Sequence, residues 1–186
     1  MIRWLFAILG GIVLGGIVHL VSVLALPRVA TKDAYSRLLP ITNVNTVAQL
    51  PMAEPLNAVL PFQDPAFATA VCRYDLSNGP IKFSVPVSQA YTSVSFYTRN
   101  EVAYYAINDR SAGRRIIELD LMTVEQRAEL PEDEEVTAAD RLIIESPTPT
   151  GLIVIKALAA EPDLMPQARA SLMQATCRQQ NDPAAR

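Results

Sequence analysis

Hydrophobic residues run without a formal charge from Trp4 to Leu26, and beyond Pro27 the pattern changes to short alternating stretches separated by prolines and turn residues. At ~1.5 Å rise per residue, a helix of 23 residues crosses the ~30 Å hydrocarbon core of a bilayer. The pattern therefore predicts a transmembrane helix over residues 1–26. A cleaved secretory signal is the rival, since Arg3 supplies a positive n-region and Val23-Leu24-Ala25 a small-residue cleavage site. Signal h-regions run only about 7–15 residues, so the length favours an uncleaved signal anchor.

After Pro27, TKDAYSRLL predicts a short helix with Thr31 as N-cap and Pro40 ending it. Pro40, Pro51, Pro55, Pro61 and Pro65 then exclude a long helix or a paired central strand. Residues 27–66 read as a proline-rich lead-in wrapped on a domain, with one or two helical turns at DPAFA, where Asp64 would cap and Pro65 would open the turn.

Period-two alternation dominates residues 67–178. Cys72, Tyr74 and Leu76 share one strand face, and Ile81, Phe83, Val85 and Val87 share the next across the turn SNGP. Two strands flank Arg99-Asn100, with Val94 and Phe96 on one side and Ser93 and Ser95 on the other. RRIIELDLM adds a strand, and TVEQRAEL a short helix opened by a Thr123/Gln126 capping box. RLIIESP and GLIVIKAL read as a hairpin across PTPTG. PDLMPQARASLMQATC reads as a closing amphipathic helix with Leu164, Ala168, Leu172 and Ala175 on one side, and residues 179–186 as a polar tail. Gly79, Gly113 and Gly151 all fall in expected turns. The fold class is mainly β with some helix (α+β): a transmembrane helix, then an antiparallel β-sandwich or jelly-roll-like domain with a few short helices and a C-terminal helix. A doubly wound fold would need helices between successive strands, which the pattern lacks.

The chain carries a net charge of −3, and without Arg3 the remainder stands at −4. A mildly acidic domain with no basic run argues against nucleic-acid binding. Arg28, Lys32 and Arg37 follow the apolar segment while Arg3 alone precedes it, which on the positive-inside rule would put the domain in the cytoplasm. Long domains translocate largely regardless of charge, and a start of M-I-R leading straight into apolar residues resembles an export signal. The expected location is the bacterial inner membrane, single pass, with the domain periplasmic. Cys72 and Cys177 either pair there, closing a loop of roughly 100 residues with up to ~4.7 kcal/mol of chain-entropy stabilisation, or stay as buried free thiols.

His19 is the only histidine. The domain therefore contains no Ser-His-Asp or Cys-His arrangement and no zinc site that needs imidazole, and no phosphate-cradling glycine loop occurs. Neither a metal nor a cofactor is expected. YYAINDRSAGRR gathers Tyr104, Asn108, Asp109, Arg110, Arg114 and Arg115 around one loop, where guanidiniums could hold a carboxylate or phosphate; the competing reading is a solvated turn with internal ion pairs. Tyr91, Tyr97, Tyr104 and Tyr105 could line a pocket or pack on a sheet face. Asp75, Asp109 and Asp120 are the acid or base candidates for an enzyme, and the acids from Glu132 to Glu135 read as solvent-facing rather than metal-binding. In the anchor, Ala7, Gly11, Gly15 and His19 repeat every four residues, a small-residue face that suits helix association, with His19 a packing group at its edge rather than a proton relay.

The stretch FATAVCRYDLSNGPIKFSVPVSQAYTSVSFYTRN resembles the domain-of-unknown-function family DUF1254. The resemblance lies in Asp75, Leu76, Ser77, Gly79 and Pro80 at the turn, Val85-Pro86 closing the next strand, and the aromatic-rich strand from Tyr91 to Tyr97. It covers about a third of the chain, with weaker similarity through INDRSAGRR. Long members look like two β-rich jelly-roll units, so the resemblance implies a separate companion β-rich membrane protein supplying the second unit. Three functions are open on these readings: a membrane-anchored binding or assembly module, alone as a homo-oligomer or with that partner; a binder of a carbohydrate- or carboxylate-like small molecule; and a carboxylate-based enzyme.

Overall fold

The structure, a computed structural model, describes residues 2–29, 33–52, 58–113, 115–130 and 142–180. The apolar run forms α1 (Ile2–Val29), a helix with no buried residue in its hydrophobic span and long and apolar enough to cross a membrane. Four residues later α2 (Ala34–Leu38) is capped by Asp33, whose side chain accepts from the Ser36 N–H at 2.7 Å. The cap expected at Thr31 is thus corrected to Asp33, which presents its carboxylate at the right spacing from N3; Thr31 itself lies outside the described residues.

Among the described residues nine strands follow: β1 (Val47–Gln49), β2 (Phe67–Asp75), β3 (Ile81–Pro86), β4 (Thr92–Thr98), β5 (Ala103–Asn108), β6 (Ile116–Thr123), β7 (Leu142–Ser146), β8 (Thr150–Leu158) and β9 (Thr176–Gln179). They form two sheets, ordered β1-β2-β8-β4-β5 and β7-β6-β3-β9. The strand faces follow the alternation in the sequence. Tyr74, Phe83, Phe96, Leu119 and Ile153 are fully buried between the sheets. The outer face of the five-stranded sheet is also covered, since Val71 and Leu152 pack under Tyr35 and Leu38 of α2 and Leu50 of the lead-in.

Several local expectations change. The hairpin across PTPTG is not formed: β7 pairs in parallel with β6 in one sheet, whereas β8 lies between β2 and β4 in the other. The β6–β7 pair departs from an otherwise antiparallel arrangement of the strands, and Val44 makes an isolated parallel bridge to Arg73. Gly151 sits within β8, not in a turn. DPAFA makes no helix; Asp64 accepts from the Ala66 N–H at 2.9 Å, and this Asx turn leads directly into β2. The closing helix is shorter than expected. A 3-10 turn at Pro162–Leu164 leads into α5 (Met165–Met173), which buries Met165, Ala168 and Leu172 and leaves Leu164 39% exposed. The chain then extends, so Cys177 lies on strand β9, paired with Phe83 of β3.

Two further short helices cap strand ends. Asn108 caps α3 (Asp109–Ala112), which Gly113 terminates at φ +61°, a backbone region glycine enters freely. Thr123 and Gln126 form the expected capping box of α4 (Val124–Ala128). Cys72 of β2 and Cys177 of β9 are disulfide-bonded with Cα atoms 6.5 Å apart, tying one sheet to the other through the core.

Candidate functional site

The sandwich has two ends. At the near end Asp75 pairs with Thr150 and Thr98 with Gly151; at the far end Phe67 pairs with Leu158 and Thr92 with Ala157. α2 docks at the near end, and the sequence-predicted loop lies at the far end, because Asn108 pairs with Ser93.

Of the expected binding residues, Asn108, Asp109, Arg110 and Arg115 lie in and around α3, whereas Tyr104 lies within β5. Asn108 accepts from the Ser111 N–H at 2.9 Å and so is occupied as a helix cap. Asp109 opens α3, and its Oδ1 is buried without a hydrogen bond among the described residues. Arg110 and Arg115 are exposed, and the Arg115 carbonyl accepts from the Val87 N–H at 2.8 Å. Tyr104 is not part of this cluster. Five residue steps of extended chain, roughly 16 Å at ~3.3 Å each, separate it from Asp109. Its hydroxyl donates to the Tyr74 hydroxyl at 3.1 Å, which also lies 2.9 Å from Ser146 Oγ and donates to the Tyr97 carbonyl at 3.2 Å. Burial first, and then the neighbouring Tyr74 hydroxyl, push the Tyr104 hydroxyl far above the ordinary tyrosine range, so it stays neutral. The Tyr104 and Tyr105 rings pack against Phe96 at 6.2 and 6.0 Å, as sheet-face aromatics. Arg114 and the acids from Glu132 to Glu135 lie outside the described residues.

The acid and base candidates do not converge either. Asp75 accepts from the Ser77 N–H in a near-end turn, Asp120 lies on β6 opposite Lys82, and Asp109 is at the far end. Among the described residues, no group of three or more His, Cys, Asp or Glu side chains is placed to hold a metal. In α1, Ala7, Gly11, Gly15 and His19 are exposed, and a Cβ added at Gly11 or Gly15 would meet nothing within 4 Å.

What the far end does hold is an open groove of about 290 Å³ between α5 and the β3–β4 connection. Gln89, Leu158, Leu164, Gln167, Ser171 and Gln174 are among its lining residues, and among the described residues no charged side chain contributes. Tyr91 adjoins it: the Tyr91 carbonyl accepts from the Leu158 N–H at 2.9 Å and from Ser88 Oγ at 2.8 Å. Sequence reasoning brought Tyr91 forward but not the groove, because Pro86–Ala90 and α5 are some 80 residues apart in the chain and neither carries a reactive group.

A second polar cluster, unforeseen from sequence, stands at the near end. Asp33 pairs with Arg99 at 2.9 Å, and the Arg99 guanidinium lies over the Tyr35 ring, with Arg73 also facing that ring at 5.7 Å. Glu101 accepts from the Ala34 and Tyr35 N–H groups, the latter at 3.2 Å. It does so from the β4–β5 turn at φ +64°, an uncommon conformation for a residue with a side chain.

The architecture defines a two-sheet β domain carried behind one long apolar helix, with a neutral groove and no assembled catalytic constellation among the described residues. Residues 43–179 match the model of a family described as a protein of unknown function, DUF1254, and the chain belongs to that family. No curated protein matches it. Among solved structures it is similar to the VPA0106 protein from Vibrio parahaemolyticus, at 12% identity and a TM-score of 0.62, over 84% of this chain and 37% of that one. A putative uncharacterized protein from Burkholderia cenocepacia aligns at 16% identity and a TM-score of 0.48, over 70% of this chain and 36% of that one. The chain thus spans little more than a third of the length of either.

Proposed function

We propose that this chain is a single-pass protein of the bacterial inner membrane whose sandwich lies on the periplasmic side and serves as a binding or assembly module for a partner chain. The groove at the far end is the observation that carries this reading. Its volume falls just under the ~300–1,000 Å³ of sites that enclose small ligands, which favours a side chain or short extended segment of another protein over a sequestered metabolite. Its amides and hydroxyls both donate and accept, and without charge they suit a peptide backbone better than a carboxylate or phosphate. The buried Cys72–Cys177 bond supports the compartment, since structural disulfides persist on the oxidising side of the membrane. The favoured partner is a companion β-rich membrane protein, as the family resemblance implies, with a second copy of this chain as the other form of the same reading.

A photo-crosslinking side chain at Gln167 or Gln174 of the full chain in native membranes should give one discrete adduct. That adduct should disappear when Ala170→Trp fills the groove, and a probe at the exposed Lys82 on the second sheet should give none. Equal adducts from Lys82, or none from either groove position, would overturn the reading. A periplasm-dependent reporter fused to the C-terminus should be active; activity of a cytoplasm-dependent reporter alone removes the compartment.

A further inference from the structure

The near end of the sandwich exposes apolar side chains where the chain emerges from α1. Leu39, Ile41 and Val44 are 45%, 42% and 44% exposed, although the residue beside them, Leu38, is fully buried. Val102, 62% exposed, follows Glu101, whose carboxylate holds the first turn of α2. The segment after α2 runs along the end of β2, fixed by the Asn45 N–H on the Arg73 carbonyl at 2.9 Å and by Arg73 Nη2 on the Thr42 carbonyl at 3.1 Å. These bonds, together with the clamp that Asp33, Arg99 and Tyr35 form on α2, hold these side chains at one end of the sandwich. Leu39, Ile41 and Val44 follow one another in the segment leading from α2 to β1, and Val102 lies in the β4–β5 turn across the same sheet, so the four spread over one end of a domain that a membrane-length helix leads into.

We propose that this end of the domain is a membrane-seating surface: Leu39, Ile41, Val44 and Val102 rest in the bilayer interface, with the domain standing on the membrane rather than swinging from it. The proposal rests on α1 being a membrane anchor. The length of the connection selects the bilayer as the occupant. Four residues join Val29 to Ala34, so at ~3.6 Å per step the start of α2 lies no further than about 18 Å from the end of α1. So short a tether holds the patch at a high effective concentration at the membrane surface. In the sequence Arg28 and Lys32 flank the connection, basic residues of the kind an anionic bilayer surface attracts. Seated in this way, the clamp would direct the far-end groove away from the lipid, about 30 Å out along the nine-residue strand β8 at ~3.3 Å per residue.

Trp4 is the only tryptophan, which allows a direct test. The full chain is reconstituted in vesicles of phosphatidylethanolamine and phosphatidylglycerol, three to one, with or without bromine on the upper acyl chain. The native chain reports insertion of α1 through Trp4. Trp4→Phe chains carrying Leu39→Trp, Ile41→Trp or, at the far end, Met173→Trp report the domain. We expect quenching at Trp4, and quenching at positions 39 and 41 that exceeds Met173→Trp by about three-fold or more. Quenching at Trp4 with positions 39 and 41 no higher than Met173→Trp overturns the seat and leaves the anchor standing. No quenching at Trp4 overturns both. Position 39 or 41 fluorescence that becomes shielded only as protein concentration rises, without lipid quenching, would identify a second copy as the occupant and also overturn the seat.

Discussion

The guanidinium of Arg99 lies 3.9 Å from the centre of the Tyr35 ring. The same side chain donates to Asp33 Oδ2 at 2.9 Å, so one residue of the β4–β5 turn grips both the cap and the first turn of a helix 66 residues away. A desolvated cation–π contact is worth roughly 0.5–2 kcal/mol, and an ion pair with one well-buried partner adds to it. Arg99→Ala should therefore lower the urea stability of the detergent-solubilised chain by about 1–3 kcal/mol. Arg99→Lys should fall between the two, because an ammonium keeps the charge but not the planar stack. Equal midpoints for all three chains would show that the contact contributes nothing.

Asp33 gives the clamp a pH dependence of definite sign. Burial opposes its ionisation, but the hydrogen bonds from Ser36 and Arg99, together with the Arg99 charge, outweigh burial and lower its pKa from 3.8 to about 2. A carboxylate with a lowered folded pKa contributes stability that is fully present above its unfolded value and is lost as pH falls through the folded one. Stability should thus drop by on the order of 2 kcal/mol between about pH 4 and pH 2. In Asp33→Asn that part of the slope should vanish, at the cost of lower stability at neutral pH. An unchanged slope in the variant, followed by circular dichroism at each pH, would assign the acid sensitivity elsewhere.

Side-chain alternation located seven of the nine strands because burial on one face of a pleated sheet writes a period of two into the sequence. Val94, Phe96, Ile117, Leu119 and Leu121 all face the core as the pattern implies. The Thr123/Gln126 box was readable for a similar reason, since both partners lie within one helical turn. Alternation says nothing about neighbours, however. Proximity in sequence pairs β8 with β7, whereas nine of its residues pair with β2 on one side and seven with β4 on the other, which carries it into the other sheet. β1 and β9, at three and four residues, are too short to show a period at all, and their identity comes from pairing with β2 and β3. Tyr104 and Asp109 are five positions apart along an extended strand and its end, so nearness in sequence does not bring their side chains together. Glu101 gave no local signal, as its partners are the main-chain N–H groups of Ala34 and Tyr35.

The bond between Cys72 and Cys177 closes a span of 105 residues. Chain-entropy estimates put such a loop at up to ~4.7 kcal/mol, and native disulfides typically contribute about 2–5 kcal/mol. A chain with both cysteines replaced by alanine should lose stability within that range, judged by urea unfolding followed through the near-ultraviolet tyrosine signal. Because both cysteines are buried, mild reductant under native conditions should leave the bond intact and reduce it only once the domain opens. Rapid reduction of the folded chain would contradict their burial.

Association through α1 separates glycine from histidine. Gly11 and Gly15 leave open space for an approaching backbone, while Ser22 further along bonds back to its own helix, with Oγ donating to the Val18 carbonyl at 2.8 Å. If helices pack along this face, Gly11→Ile or Gly15→Ile should weaken self- or partner association in a membrane two-hybrid assay more than His19→Leu does. Interhelical polar contacts in bilayers average only about 0.6 kcal/mol, so loss of the imidazole should have the smaller effect. The reverse order would point to His19 as the determinant.

Gly151 shows the tightest steric dependence in the described domain. A Cβ at this position of β8 would overlap the Tyr97 carbonyl of the neighbouring strand and the hydroxyl end of the Tyr74 ring. The first obstacle is main chain fixed in the β4–β8 ladder, where Thr98 pairs with Gly151, and it cannot move without breaking register. Gly151→Ala should therefore cost at least about 1–3 kcal/mol, the usual range for an overpacked core. Adding Tyr74→Phe removes the obstructing hydroxyl, but it also deprives Tyr104 and Ser146 of a partner, worth roughly 1–3 kcal/mol for a buried polar group. The double variant should consequently be more stable than the sum of the two single losses implies, yet well short of the parent chain, because the Tyr97 carbonyl and the Tyr74 ring carbon remain in the way. Urea midpoints for the four chains give that coupling directly, and strict additivity would mean that the Tyr74 hydroxyl is not what Gly151 accommodates.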